Sequence, residues 1–397
     1  MESSRTSTRG SQLQAWQVLS GGICGLVLTL GLARFAYTPM LPLMQQQAGL
    51  STAAGGWLAA INYLGYMSGA LAAAWIDHPR LRQWLYGTGL WLSLLMTLAM
   101  GLGDSFWLWA LSRYVAGLCG ATGMLLGSGL VLNWLMRAGR RPELGLFFMG
   151  GGLGIIVSAL GAMLMSRLQL GWALQWQGFA LLGLLFFVPA WAWRPPVPAP
   201  AAGGAAGAGP APSWRWMGLM LAAYFCAGWG FVISATFTVA IVERQPLLAG
   251  QGPWAWLLVG LAATPAVFLW DRVARRVGET NALLLAFALQ TASVLLPAWS
   301  EGLPAALAGA LLYGGTFIGI VSMTLALVGR RSPANPGKAM ARLTLSYGVA
   351  QISAPALAGS MAQASGGYRG ALYLTALVLL LGMVLLLLLR REGPNAS

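Results

Sequence analysis

Apolar residues recur along this chain in continuous runs of about twenty, separated by short polar breaks. That length matches the roughly 20 residues a helix needs to cross about 30 Å of hydrocarbon. The runs fall at about 16–42, 54–76, 83–102, 106–135, 144–166, 172–193, 214–242, 253–270, 280–299, 303–328, 339–363 and 368–389. A membrane barrel would show short segments of alternating polarity instead. The pattern predicts an all-α integral membrane protein with twelve transmembrane helices.

The longest break, Arg194 to Ser213, is rich in Pro, Ala and Gly and has no apolar period, so it is expected to be a flexible linker. It divides the chain into residues 1–193, an N-terminal six-helix bundle, and residues 214–397, a C-terminal one, with 194–213 as the cytoplasmic linker. The halves look like copies. A shift of 197 residues lays Gly31 on Gly228, Trp57 on Trp254, Gly117 on Gly314 and Gly151 on Gly348. Gly-Arg-Arg follows both the fourth run (Gly139–Arg141) and the tenth (Gly329–Arg331). With an even number of spans per half, the copies share one orientation. Such a pseudo-symmetric pair is a parallel repeat, with a substrate site expected where the repeats meet.

Composition agrees. Charged residues make up 8% of the chain and apolar ones 58%, with a mean hydropathy of +0.70. Soluble domains carry roughly 25% charged residues, so this chain lacks the polar groups to cover a surface in water. The net charge of +14 invites a nucleic-acid reading, but the basic residues sit in short clusters between apolar runs. Their placement sets orientation instead. Of 23 basic residues, Arg34, Arg113 and Arg342 lie within runs and Arg167, Arg244 and Arg369 fall on one side. The other seventeen fall on the opposite side, the cytoplasmic one. Both termini are therefore expected in the cytoplasm, with the chain a multi-pass protein of a bacterial inner membrane. Cys24, Cys119 and Cys226 all lie inside apolar runs, and His78 is the single histidine. Neither a disulfide, a metal site nor a cofactor is expected. No constellation of His, Asp, Glu and Ser stands ready for catalysis either, so the chain does not read as an enzyme.

Several stretches carry a family resemblance. Arg113-x-x-x-Gly117-x-x-x-Ala121 resembles the fourth-helix signature of the major facilitator superfamily. Asp271-Arg272-Val273-Ala274-Arg275-Arg276 resembles the basic loop of its second half, with Ala274 in place of glycine. The first-half copy, around Asp77 to Arg82, is degenerate, and the fifth run lacks the usual Gly-Pro pair. Gly31 to Pro42 and Gly56 to Tyr66 are similar to the YbfB/YjiJ-type branch, as are Ser234 to Phe237 and Gln351 to Pro355. The resemblance implies an alternating-access carrier in which helices one, four, seven and ten line a central cavity. It also makes Asp271, Arg272, Arg275 and Arg276 a gating loop.

Ionisable groups at membrane depth are costly and mark function by default. Arg34 and Arg113 are the two clear cases, both in the outer half or near the midplane. Two guanidiniums facing one cavity suit a carboxylate or phosphate, which the planar fork binds bidentately. The competing reading is packing, with either side chain bonded to backbone carbonyls or snorkelling outward. No Asp or Glu lies in the middle of a run, although proton-coupled carriers commonly use an embedded one. Glu243, at an outer helix end, is the best coupling candidate, against the plainer reading of a solvated end. Asn62, Tyr63, Thr236, Tyr313, Thr316, Tyr347 and Gln351 supply amides, hydroxyls and aromatic faces within runs two, seven, ten and eleven. They fit either a small-molecule site or interhelical hydrogen bonds.

The expectation is a monomeric secondary active transporter of a small organic solute, an organic anion being favoured and proton coupling left open. Efflux of amphiphilic drugs or metabolites is one alternative. A membrane scaffold or receptor that moves nothing is another.

Overall fold

The computed structural model describes residues 13–76, 78–140, 144–196, 212–332 and 336–391. The expected linker lies outside the described residues from 197 to 211, as do Asp77, Arg141 and Glu143. Within the described residues a long helix runs over each apolar run. In the first half these are α1 (Ala15–Gln47), α2 (Thr52–Trp75), α3 (Pro79–Ala99), α4 (Phe106–Arg137), α5 (Leu144–Arg167) and α6 (Trp172–Ala192). The second half has α7 (Trp214–Glu243), α8 (Gly252–Val277), α9 (Glu279–Trp299), α10 (Leu303–Arg331), α11 (Pro336–Ser365) and α12 (Arg369–Arg391). Among the described residues, nine of them are long and apolar enough to cross a membrane, the set omitting α2, α3 and α11.

Local chemistry explains where these helices begin and end. Pro79, Pro253 and Pro304 open α3, α8 and α10, where a missing N–H costs nothing. Ser213 caps α7 by accepting the Trp216 N–H at 3.2 Å. Gly278, at φ 85°, closes α8 in the left-handed region that glycine enters freely, and α9 starts at the next residue. Leu181, Leu185 and Val188, spaced three and four apart on α6, are 69, 70 and 62% exposed. An apolar stripe of that kind suits hydrocarbon rather than water.

By packing, the chain divides into two units. One comprises Met1–Tyr37 and Leu64–Gly203, the other Thr38–Tyr63 and Gly204–Ser397. In the first, α1 departs from regular geometry, since Val27–Phe35 is wound as a π-helix and wholly buried. A shorter π stretch, Thr122–Leu126, interrupts α4. Wide turns of this kind are rare and frequent at functional sites. Gly31 of the π stretch crosses Gly154 of α5 so closely that a methyl on Gly31 would sit 2.5 Å from the Gly154 Cα. Gly123 of α4 likewise leaves room for the Thr29 hydroxyl, which donates to the Gly25 carbonyl at 2.8 Å.

The second unit repeats the first crossing. Gly228 on α7 abuts α11, where a methyl would meet the Tyr347 carbonyl at 2.8 Å and the Ala350 Cβ at 3.1 Å. Gly31 and Gly228 are partners at the shift of 197 residues, so the repeated glycine has a packing reason. Residues 38–63 pack in this unit. The Thr38 hydroxyl donates to the Ala235 carbonyl at 2.5 Å, and the Ala53 N–H donates to Gln363 Oε1 at 2.9 Å. Gly56 lies directly against the Pro355 carbonyl and Gly359.

The α1–α5 crossing yields a test. Gly154→Val forces the backbones apart and costs about 1–3 kcal/mol, the usual range for overpacking. Gly151, with open space where its Cβ would lie, accepts alanine without loss. Thermal unfolding in detergent should separate the two variants, and equal midpoints would refute the close crossing.

Candidate functional site

In the first unit, Arg34 and Arg113 lie together, Arg113 donating to the Arg34 carbonyl. They are 6 and 2% exposed. Arg34 rides on the π stretch of α1, and Arg113 stands two turns into α4. The Arg113 Nη1 donates to the carbonyl oxygens of Ala33 and Arg34, both at 3.2 Å. The Arg113 guanidinium also lies over the Tyr37 ring, 4.4 Å from its centroid. Arg34 lies over the Tyr66 ring at 4.8 Å and beside Phe35 at 5.6 Å. The Tyr66 hydroxyl in turn donates to the Met124 sulfur of the α4 π stretch at 3.2 Å. Each cation thus gains the attraction of an aromatic quadrupole in a desolvated place, where that attraction is strongest.

The division of labour is uneven. Arg113 is engaged with the backbone of α1 and sets where Arg34 stands. Arg34 lays its charge against the faces of Tyr66 and Phe35. Tyr37 and Tyr66 were missed as site residues, although both stand inside the stretches that carry the family resemblance. Both contacts join different helices, Tyr37 of α1 with Arg113 of α4 and Tyr66 of α2 with Arg34 of α1, so no spacing within one helix announces them.

In the second unit, Phe231 of α7 is the centre of an aromatic cluster. Tyr63 meets it edge-on at 6.2 Å, Phe317 at 5.3 Å and Tyr347 at 5.9 Å between centroids. Tyr313 stacks on Phe317 at 5.1 Å and donates its hydroxyl to the Phe231 carbonyl at 3.1 Å. Tyr224 adds a face against Tyr347 at 4.6 Å. Tyr63 and Tyr313 are therefore joined through Phe231, which sequence reasoning passed over as ordinary apolar filling. Asn62, Thr236 and Gln351 are buried on α2, α7 and α11 of the same unit. Thr316 spends its hydroxyl on its own helix, donating to the carbonyls of Leu312 and Tyr313 at 2.7 and 3.1 Å.

Glu243 ends α7 with both carboxylate oxygens engaged. Oε2 accepts the Gly250 N–H at 2.7 Å and Oε1 the Gly252 N–H at 2.8 Å, at the start of α8. Next to it, Arg244 donates to the Thr52 hydroxyl at 2.6 Å and lies over the Tyr368 ring at 4.8 Å. Asp271, Arg272, Arg275 and Arg276 occupy the last two turns of α8, so the expected gating loop is helical and the connection to α9 is Gly278. Asp271 pairs with Arg275 at 2.5 Å, an exposed pair of little energetic weight. The two arginines of the last turn face the negative end of the helix dipole. Glu279 meets Arg330 of α10.

A sequence profile described as the uncharacterised MFS-type transporter YbfB matches residues 26–387. The chain belongs to this YbfB-type family of the major facilitator superfamily. Membership in the YbfB-type family, with its many apolar helices, makes the chain a multi-pass membrane protein of a transport family. No curated protein matches it at a significant level. Among solved structures, the nucleoside transporter NupG is similar with a TM-score of 0.72 at 14% identity, over 94% of this chain and 99% of that one. The human organic anion transporter MFSD10 (TETRAN) gives 0.63 at 19% identity, over 94% and 100%. A bacterial homolog of the human lysosomal transporter Spinster gives 0.66 at 15% identity, over 94% and 97%. At such identities the likeness concerns the fold alone.

Within the YbfB-type fold the two arginines should respond differently to substitution. Arg113→Gln removes charged bonds to two buried carbonyls and should lower stability by about 1.5–3 kcal/mol. Arg34→Gln, which gives up the contacts with the Tyr66 and Phe35 rings, should cost less. Thermal unfolding of both variants in detergent decides; the reverse order would assign the backbone role to the wrong arginine.

Proposed function

We propose that the chain is a secondary active transporter that moves a small organic solute by alternating access, with an organic anion as the favoured cargo. The observation that supports this most is the pair of buried guanidiniums on α1 and α4, each laid on a tyrosine face. Burying positive charge is expensive, and a site built to hold it favours a cargo of opposite sign. Arg34 is the recognition residue in this reading and Arg113 its positioning residue. All twelve helices span, as two six-helix bundles at 1–193 and 214–397 joined by the linker at 194–213. The skew of basic residues supports cytoplasmic termini in a bacterial inner membrane, and the unit of function is a monomer.

Glu243 is assigned to capping rather than to proton coupling, because both its oxygens already accept N–H bonds. Coupling, where it occurs, uses a proton carried on the cargo. A second reading rests on the aromatic cluster around Phe231, which favours planar or amphiphilic cargo and efflux.

Counterflow in proteoliposomes loaded with organic acids, amino acids or uncharged aromatic compounds tests both readings. The anion reading expects an organic acid to exchange, with kcat/KM falling at least about tenfold in Arg34→Gln, roughly 1.4 kcal/mol of lost binding. Exchange of uncharged aromatics, untouched by that substitution, would favour the second reading. No counterflow of any solute would leave a scaffold. Glu243→Gln should retain transport and its pH profile; a flattened profile would restore Glu243 as the coupling group.

A further inference from the structure

A crevice of about 640 Å³ opens in the first unit between the start of α1, the end of α4 and Pro196. It lies far from the Arg34 cluster, about 27 Å along α1 by helical rise from Arg34 to Trp16. Its polar lining comes from Gln14, Asn133, Arg137 and Arg140, and its aromatic lining from Trp16 and Trp134. We infer that this crevice binds the phosphate headgroup of an anionic phospholipid of the inner leaflet.

The arginines are set there by the way α4 ends. Gly139, at φ 65°, turns the chain back, so that the Arg140 N–H donates to the Leu135 carbonyl at 2.9 Å and the Ala138 N–H to that of Trp134 at 2.9 Å. This glycine reversal folds Arg140 over the last turn and brings it to the same lining as Arg137. The corresponding Gly-Arg-Arg of the second half is otherwise employed. Its Arg330 pairs with Glu279 and its Arg331 lies over the Trp216 ring at 4.9 Å. No such pairing engages the Arg140 side chain among the described residues.

The tryptophans argue for a lipid. Trp16 is 55% exposed at the end of a spanning helix, stacks edge-on against Trp193 at 5.3 Å and donates to Gln14 Oε1 at 2.7 Å. Indoles settle at the membrane interface, and basic pockets between helices on the cytoplasmic side take lipid headgroups. A free phosphate would meet Arg140 but would leave the half-exposed Trp16 indole uncovered.

The full chain in neutral detergent, titrated with phosphatidylglycerol, phosphatidylcholine or inorganic phosphate, provides the test. Bound lipid is counted by native mass spectrometry and followed by the thermal midpoint. Phosphatidylglycerol alone should be retained and raise the midpoint, with affinity falling roughly thirtyfold in Arg137→Gln/Arg140→Gln. Brominated phosphatidylglycerol should quench wild type more than Trp16→Phe, a readout that survives a poorly folded double variant. Equal binding of phosphatidylcholine, undiminished binding by the double variant, or equal quenching of Trp16→Phe would overturn the inference. Equal protection by inorganic phosphate would do so as well, since it would make the occupant a soluble anion. The readout is made in detergent, so it stands apart from orientation and from the transport reading.

Discussion

Hydrocarbon offers no hydrogen bonds, so a carbonyl without a donor at membrane depth costs several kcal/mol. In the first unit Arg113 donates to the carbonyls of Ala33 and Arg34, within the stretch where α1 is wound as a π-helix. Much of the first unit follows from these bonds. They draw α4 against α1, lay the guanidinium on Tyr37, and leave Arg34 to the face of Tyr66. A charge that looks extravagant in a membrane is here a donor to two carbonyls of an irregular helix.

Close backbone approach is the second determinant, because lipid supplies no hydrophobic drive for helices to associate. Contact has to come from van der Waals packing, which small residues allow. Gly31 on Gly154 and Gly228 against α11 are the same solution used twice. The aromatic cluster of the second unit is larger and softer, with its rings converging on Phe231. The two units thus share a crossing and differ in chemistry, cationic in one and aromatic in the other.

The helices were legible because hydrocarbon thickness imposes one block length on the sequence, and every block became a helix close to its expected ends. Arg34 and Arg113 were legible because charge at depth is rare enough to stand out. Their roles were not, since the choice between cargo and backbone depends on which carbonyls lack donors. That in turn depends on the π stretch, which no apolar period announces. Phe231 stayed hidden for the opposite reason: in a chain this apolar, one more phenylalanine carries no contrast. Glu243 read as a lone carboxylate because its partners are the N–H groups of Gly250 and Gly252, which side-chain chemistry cannot foretell. The gating residues were expected in a loop, yet the helix persists until Gly278 admits a left-handed turn.

The winding of α1 also changes how its sequence should be mapped onto faces. Each residue that a wide turn adds rotates everything after it by about 100° relative to an unbroken α-helix. A helical wheel drawn straight through Ala15–Gln47 would therefore point Tyr37 and Thr38 the wrong way. Residues before Val27 and after Phe35 belong on separate wheels, and a scan of this helix has two phases rather than one.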